Sequence, residues 1–153
     1  MKKSKSFLRL FAAFACAGVL CGCGTVRELP PEQRKGEPET EEYRISRELL
    51  VGFINDDAPA FLKHLSPENR RGFDAEKFRT TREEMSKSLG TPVSFTYVTE
   101  LEFVTFKLYV WKVRFKRMTS GKDPEPIFSE ALFRVITGRS SKDQVLVMGF
   151  NFL

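Results

Sequence analysis

The hydrophobic pattern of this chain changes period once, at Gly90, and that change restricts the folds open to it. Before Gly90, Ile45, Leu49, Leu50, Phe53 and Ile54 recur at steps of three and four. The spacing predicts an amphipathic helix from about Glu41 to Asn55. Asp57 is placed to cap a second, short helix that begins Ala58-Pro59 and buries Phe61, Leu62 and Leu65, and Ser66-Pro67 starts a further turn. Asp74 caps a third helix. Phe73 before the cap and Phe78 four residues after it have the spacing of a hydrophobic staple, and the stripe continues through Arg82, Met85 and Leu89 to Gly90, a helix terminator.

After Gly90 the apolar residues alternate. Val93, Phe95, Tyr97, Thr99 and Leu101 oppose Ser94, Thr96, Val98 and Glu100 along one predicted strand. A second runs from Thr105 to Arg117, with Tyr109, Trp111, Val113 and Phe115 opposed by Lys112, Arg114 and Lys116. Turn-rich TSGKDPEP and GRSSKD separate this from a third strand, Ile127 to Thr137, and a fourth, Gln144 to Phe152. Helices followed by hairpin-connected strands predict an α+β domain, with N-terminal helices packed on a curved four-stranded antiparallel sheet. The 15 Phe among 153 residues, 41% of them hydrophobic, supply the apolar mass for one such core.

The first 22 residues belong to a different problem. MKKSKSFLR carries four cations and no acid, and the apolar run Leu10 to Leu20 follows it. Eleven helical residues span roughly 16 Å, about half of a bilayer core, so the run suits a signal peptide better than a membrane span. Leu20-Cys21-Gly22-Cys23 then resembles the lipobox of bacterial lipoproteins, although Cys21 stands where Ala, Ser or Thr is more frequent. The resemblance implies cleavage before Cys23 and acylation of its thiol, palmitate included. It also implies a cell-envelope location, with the outer membrane favoured in a Gram-negative organism because Gly24 replaces the Asp that retains such proteins at the inner membrane. An ordinary secretory signal, cleaved without lipidation, is the alternative. All three cysteines, Cys16, Cys21 and Cys23, lie in this region, so the domain has no disulfide framework.

Removing the signal takes four of the 25 basic residues and leaves the mature chain, with its 20 acidic residues, within one charge of neutrality. Such a chain has no global field to hold nucleic acid. Residues 23–42, rich in Pro, Gly and charge, read as a tether, and the acids Glu37, Glu39, Glu41 and Glu42 within it as solvated charge rather than a metal cluster. The domain is expected over 43–153.

The stretches KSLGTPVSF, LYVWKVRFKR and FSEALFRVI, taken with the preceding helices, resemble the nuclear-transport-factor-2-like superfamily. That resemblance implies a cone-shaped fold whose sheet and helices enclose a cavity, used by some members for catalysis and by others for binding. Tyr97, Tyr109 and Trp111 are then the candidate pocket-lining residues, with solid core as the competing expectation for the same faces.

Chemistry is otherwise scarce. His64 has only Glu68 within one helical turn to orient it, Asp56 and Asp57 are adjacent and cannot share a face, and no phosphate-cradle, nucleophile-elbow or zinc pattern occurs. Lys112, Arg114, Lys116 and Arg117, with Lys107 and Arg134 nearby in strand terms, offer a patch for anionic headgroups or cell-wall polymers, or alternatively charge that is solvated or protects a strand edge. The sequence therefore leads to a non-catalytic envelope lipoprotein without cofactor or metal. It would act as a binding or assembly module for an envelope protein or a cell-wall partner. A small-molecule carrier is the alternative, and an enzyme in the same cavity the more distant one.

Overall fold

The structure, a computed structural model, describes residues 36–153. Cys23, the signal segment and most of the tether lie outside the described residues. The chain forms four helices, α1 (Glu41–Ile54), α2 (Ala58–Leu62), α3 (Pro67–Gly72) and α4 (Ala75–Ser88). Four strands follow, β1 (Thr91–Glu102), β2 (Phe106–Met118), β3 (Pro126–Arg139) and β4 (Val145–Phe152). The strands pair antiparallel in the order β1-β2-β3-β4. This is an α+β domain with one more helix than the three expected, because the turn at Ser66-Pro67 continues into α3.

Side-chain caps explain where the helices begin. Thr40 accepts from the Tyr43 amide, Asp57 from Ala60, Ser66 from Asn69, and Asp74 from both Glu76 and Lys77. Each satisfies amides that have no partner inside the helix. Because Thr40 is the first cap, the helix starts two residues before the expected domain boundary, and Glu41 and Glu42 belong to α1. Gly52 sits mid-helix because α2 crosses close above it: a Cβ there would lie 2.8 Å from the Phe61 backbone nitrogen.

The helices cover one face of the sheet. Leu49, Leu50 and Phe53 of α1, Phe61 of α2 and Phe78 of α4 pack on Trp111, Val113, Phe115, Phe133, Val135 and Val147. Phe73 and Phe78 do not meet as a bare staple. Both rings pack on Phe61, at centroid distances of 5.7 and 5.1 Å. The link between α2 and α3 also joins the sheet: Val147 donates to the His64 carbonyl at 2.8 Å, and Ser66 donates to the Val147 carbonyl at 2.9 Å.

Strict alternation fails at Val93 and Val98 in β1 and at Met148 in β4, and the second of these changes the expected faces most. Between Tyr97 and Thr99 the register of β1 shifts, so Glu100 faces Tyr109 on the inner side and Leu101 faces Leu108 on the outer side. The expected placement was the reverse. One extra residue, Val98, inverts every side chain beyond it.

Candidate functional site

Tyr97, Tyr109 and Trp111 are brought together, against Tyr43 of α1. The Tyr43 ring lies 5.4 Å from Tyr97, 6.0 Å from Tyr109 and 5.2 Å from Trp111. Tyr109 and Trp111 are fully buried. The indole donates to Ser46 Oγ at 2.8 Å, and the Tyr109 hydroxyl shares a 3.2 Å hydrogen bond with Thr40 Oγ1. Burial pushes the Tyr109 hydroxyl up to about 12, and the Glu100 and Glu42 carboxylates add to the rise against the hydrogen bond from Thr40. Aromatic rings therefore pack together in the space for which a lined pocket and solid core were the competing expectations. The larger clefts, of about 490, 430 and 380 Å³, open beside Glu37 and Arg47, beside Pro59 and Phe73, and beside Glu42 and Arg139, and none is lined by those three residues.

His64 lies in the turn just beyond α2, not on the short helix where it was expected, and it has an acid that helical spacing could not find. Its Nε2 lies 2.8 Å from Glu48 Oε2, sixteen residues earlier on α1. Glu48 also takes ion pairs from Arg44 at 2.6 Å and Lys63 at 3.0 Å. Burial opposes its ionisation, yet the hydrogen bonds from His64, Lys63 and Arg44 hold it down to about 2. A carboxylate shared among three cationic or hydrogen-bonding partners clamps α1 to the end of α2. Glu68 instead pairs with Arg71.

The remaining acids have separate partners. Asp57 caps α2, whereas Asp56 lies 3.4 Å from Arg82 of α4. The tether acids are partly engaged: Glu37 accepts from the Tyr43 hydroxyl, and Glu42 receives the Arg139 guanidinium at 2.7 Å. Among the described residues no three His, Cys, Asp or Glu side chains gather as a metal site, and no helix is long and apolar enough to cross a membrane.

Among the described residues, none of the four helices covers the other face of the sheet. Cross-strand register defines its rows: Thr91–Lys116–Phe128, Ser94–Arg114–Glu130, Thr96–Lys112–Leu132, Thr99–Val110–Arg134–Asn151 and Leu101–Leu108–Ile136–Gly149. Met148 lies over Gly138 on the same side. Leu101 is 48% exposed, Phe128 46%, Leu132 39% and Met148 50%. The cations Lys112, Arg114, Lys116 and Arg134 stand against the single carboxylate of Glu130, which takes Lys112 at 3.4 Å. The Arg114 guanidinium lies 4.2 Å over the Phe128 ring.

The six basic residues singled out in the sequence are thus divided. Arg134 joins the outer cations, but Lys107 points to the inner side toward Glu102 at 3.4 Å, and Arg117 pairs opposite Ile127 on the alternate parity. Edge protection does not account for the outer four, because β2 and β3 are the inner strands of the sheet.

No protein-family model matches the chain, and no curated protein matches it. Among solved structures, a SEC-C motif containing protein from Rhodopseudomonas palustris aligns at a TM-score of 0.46 and 12% identity, over 70% of this chain and 74% of that one.

Proposed function

We propose that this chain is a lipid-anchored, non-catalytic binding or assembly module of a bacterial cell envelope, held by acylated Cys23 and touching its partner through the uncovered face of the sheet. The observation that carries this reading is the contrast between the two faces. The inner face is filled by Tyr43, Trp111, Phe53 and Phe133, while the outer face presents Leu101, Leu132 and Met148 beside a row of cations. Exposed apolar side chains grouped among polar ones mark contact surfaces. The finer description as a nuclear-transport-factor-2-like cone is part of the same reading, supported by helices on one side of a simple antiparallel sheet. A carrier would need open space near Tyr97, Tyr109 and Trp111, and packed rings occupy that space.

The anchor rests on the cationic start, the short apolar run and Leu20-Cys21-Gly22-Cys23. Cys23→Ser is expected to abolish fatty-acid labelling and leave an uncleaved or soluble protein; labelling that persists overturns the assignment. For the face, Leu101→Glu with Leu132→Glu is expected to lose complementation of whatever envelope defect follows gene deletion, with the thermal midpoint nearly unchanged, because exposed substitutions cost within about 0.5 kcal/mol. His64→Ala should complement fully. A folded His64→Ala protein that fails, or a double variant that complements, removes this reading.

A further inference from the structure

We infer that the uncovered sheet face lies against an anionic phospholipid bilayer, so that the domain rests flat on the membrane that holds its own anchor. The inference deepens the proposed function and rests on it, taking the same face and naming what covers it.

Three observations select a lipid surface. First, the positive charge of the outer face is unbalanced. Lys112, Arg114, Lys116 and Arg134 stand there against Glu130 alone, whereas the helical stretch 41–89 sets nine basic residues against ten acidic ones. Acidic headgroups attract the first set and gain little from the second, which orients the domain as well as holding it.

Second, the face mixes charge with apolar side chains along its length. Lys116, Arg114 and Lys112 occupy the rows nearest the β2–β3 hairpin with Phe128 and Leu132 beside them, and Val110, Leu101, Leu108, Ile136 and Met148 occupy the rows toward the β1–β2 hairpin with Arg134 among them. The eight steps from Leu108 to Lys116 cover about 26 Å of strand. A soluble polyanion would satisfy the basic rows and leave the apolar ones wet. A bilayer surface supplies both charged headgroups and an acyl boundary for apolar side chains.

Third, the chain enters the domain at the apolar end. The start of α1 is fixed beside β3 by the Glu42–Arg139 pair, and Phe103 and Val104 of the β1–β2 hairpin are exposed close by, lining the cleft that Glu42 and Arg139 share. Cys23 precedes Thr40 by seventeen residues, so the proposed anchor joins the domain from this end.

The test uses the mature acylated chain on vesicles of phosphatidylglycerol mixed with phosphatidylcholine, and on phosphatidylcholine alone. A bimane probe is placed at Leu132→Cys on the outer face or at Arg79→Cys on the exposed side of α4, and quenching by spin-labelled lipid is read. Severalfold stronger quenching at 132 than at 79 is expected on the anionic vesicles only. It should fall to the level at 79 with Arg114→Glu and Lys116→Glu, and with salt near 1 M, where the Debye length is about 3 Å. The salt arm needs no substitution, so it stands even if the double variant misfolds. Equal quenching at the two positions, or quenching at 132 indifferent to headgroup, salt and charge reversal, overturns the inference. A chain that floats with both vesicle types but leaves 132 unquenched overturns this inference alone and returns the face to a protein partner. A chain that floats with neither overturns the anchor as well.

Discussion

Trp111→Ala is expected to be the most damaging single substitution in the domain, costing about 3–5 kcal/mol. The indole is fully buried and meets the rings of Tyr43, Phe95 and Tyr97 at 5.2, 5.9 and 5.5 Å. Alanine leaves a cavity that neighbours fixed on two separate elements, α1 and β1, cannot close. It also removes the donor that Ser46 Oγ accepts at full burial. Trp111→Phe separates the two contributions: it retains most of the ring contact and loses the N–H, for about 1–3 kcal/mol. Total stabilities of small domains run about 5–15 kcal/mol, so the alanine variant should show a much lower denaturation midpoint in urea with little change in slope. A loss under about 1 kcal/mol would mean that the space between α1 and the sheet is open.

Phe78→Ala should cost a comparable 3–5 kcal/mol, by a different route. Phe78 is the only buried residue of α4, and its ring lies 5.1 Å from Phe61 and 6.0 Å from Phe53. Around it the helix is held more lightly, by Arg82, which lies 5.1 Å over the Phe53 ring and pairs with Asp56, and by half-buried Met85. Removal of one ring therefore undocks a whole element. Amide exchange distinguishes this from a general loss: α4 should lose protection well before α1 does. If both helices lose protection together, or if stability falls by less than about 1 kcal/mol, Phe78 is not the anchor of α4.

The parts of this architecture that were legible in the sequence are those carried by local periodicity. Val113 and Phe115 alternate with Arg114 and Lys116 along β2, and the structure keeps that parity throughout the strand. Asp57 and Asp74 announced their helices because a cap acts within three residues. What stayed hidden depends on partners far along the chain or on a single inserted residue. Nothing local distinguishes Val98 from its neighbours, yet its bulge reverses Glu100 and Leu101. Glu48 cannot be matched with His64 by helical spacing, because α1 and α2 meet only after the chain turns at Asn55-Asp56-Asp57. The outer face was half visible: alternation in β2 exposed its cations, but that β2 is an inner strand follows from sheet order, and that the described helices all pack on the opposite side follows from tertiary contacts.

The core places the two ends of the domain against one another. The Phe53 ring lies 4.9 Å from Phe152, and Leu153 exchanges backbone hydrogen bonds with Leu132 at the very end of the chain. Helix α1 emerges first in synthesis, but the surface that covers its apolar stripe is completed only by the last strand. Contacts of such long sequence separation form slowly and only after the intervening chain is available. A nascent chain stopped anywhere before β4 thus retains an exposed stripe and no closed core, so commitment to the compact state waits on the strand farthest along the chain from α1.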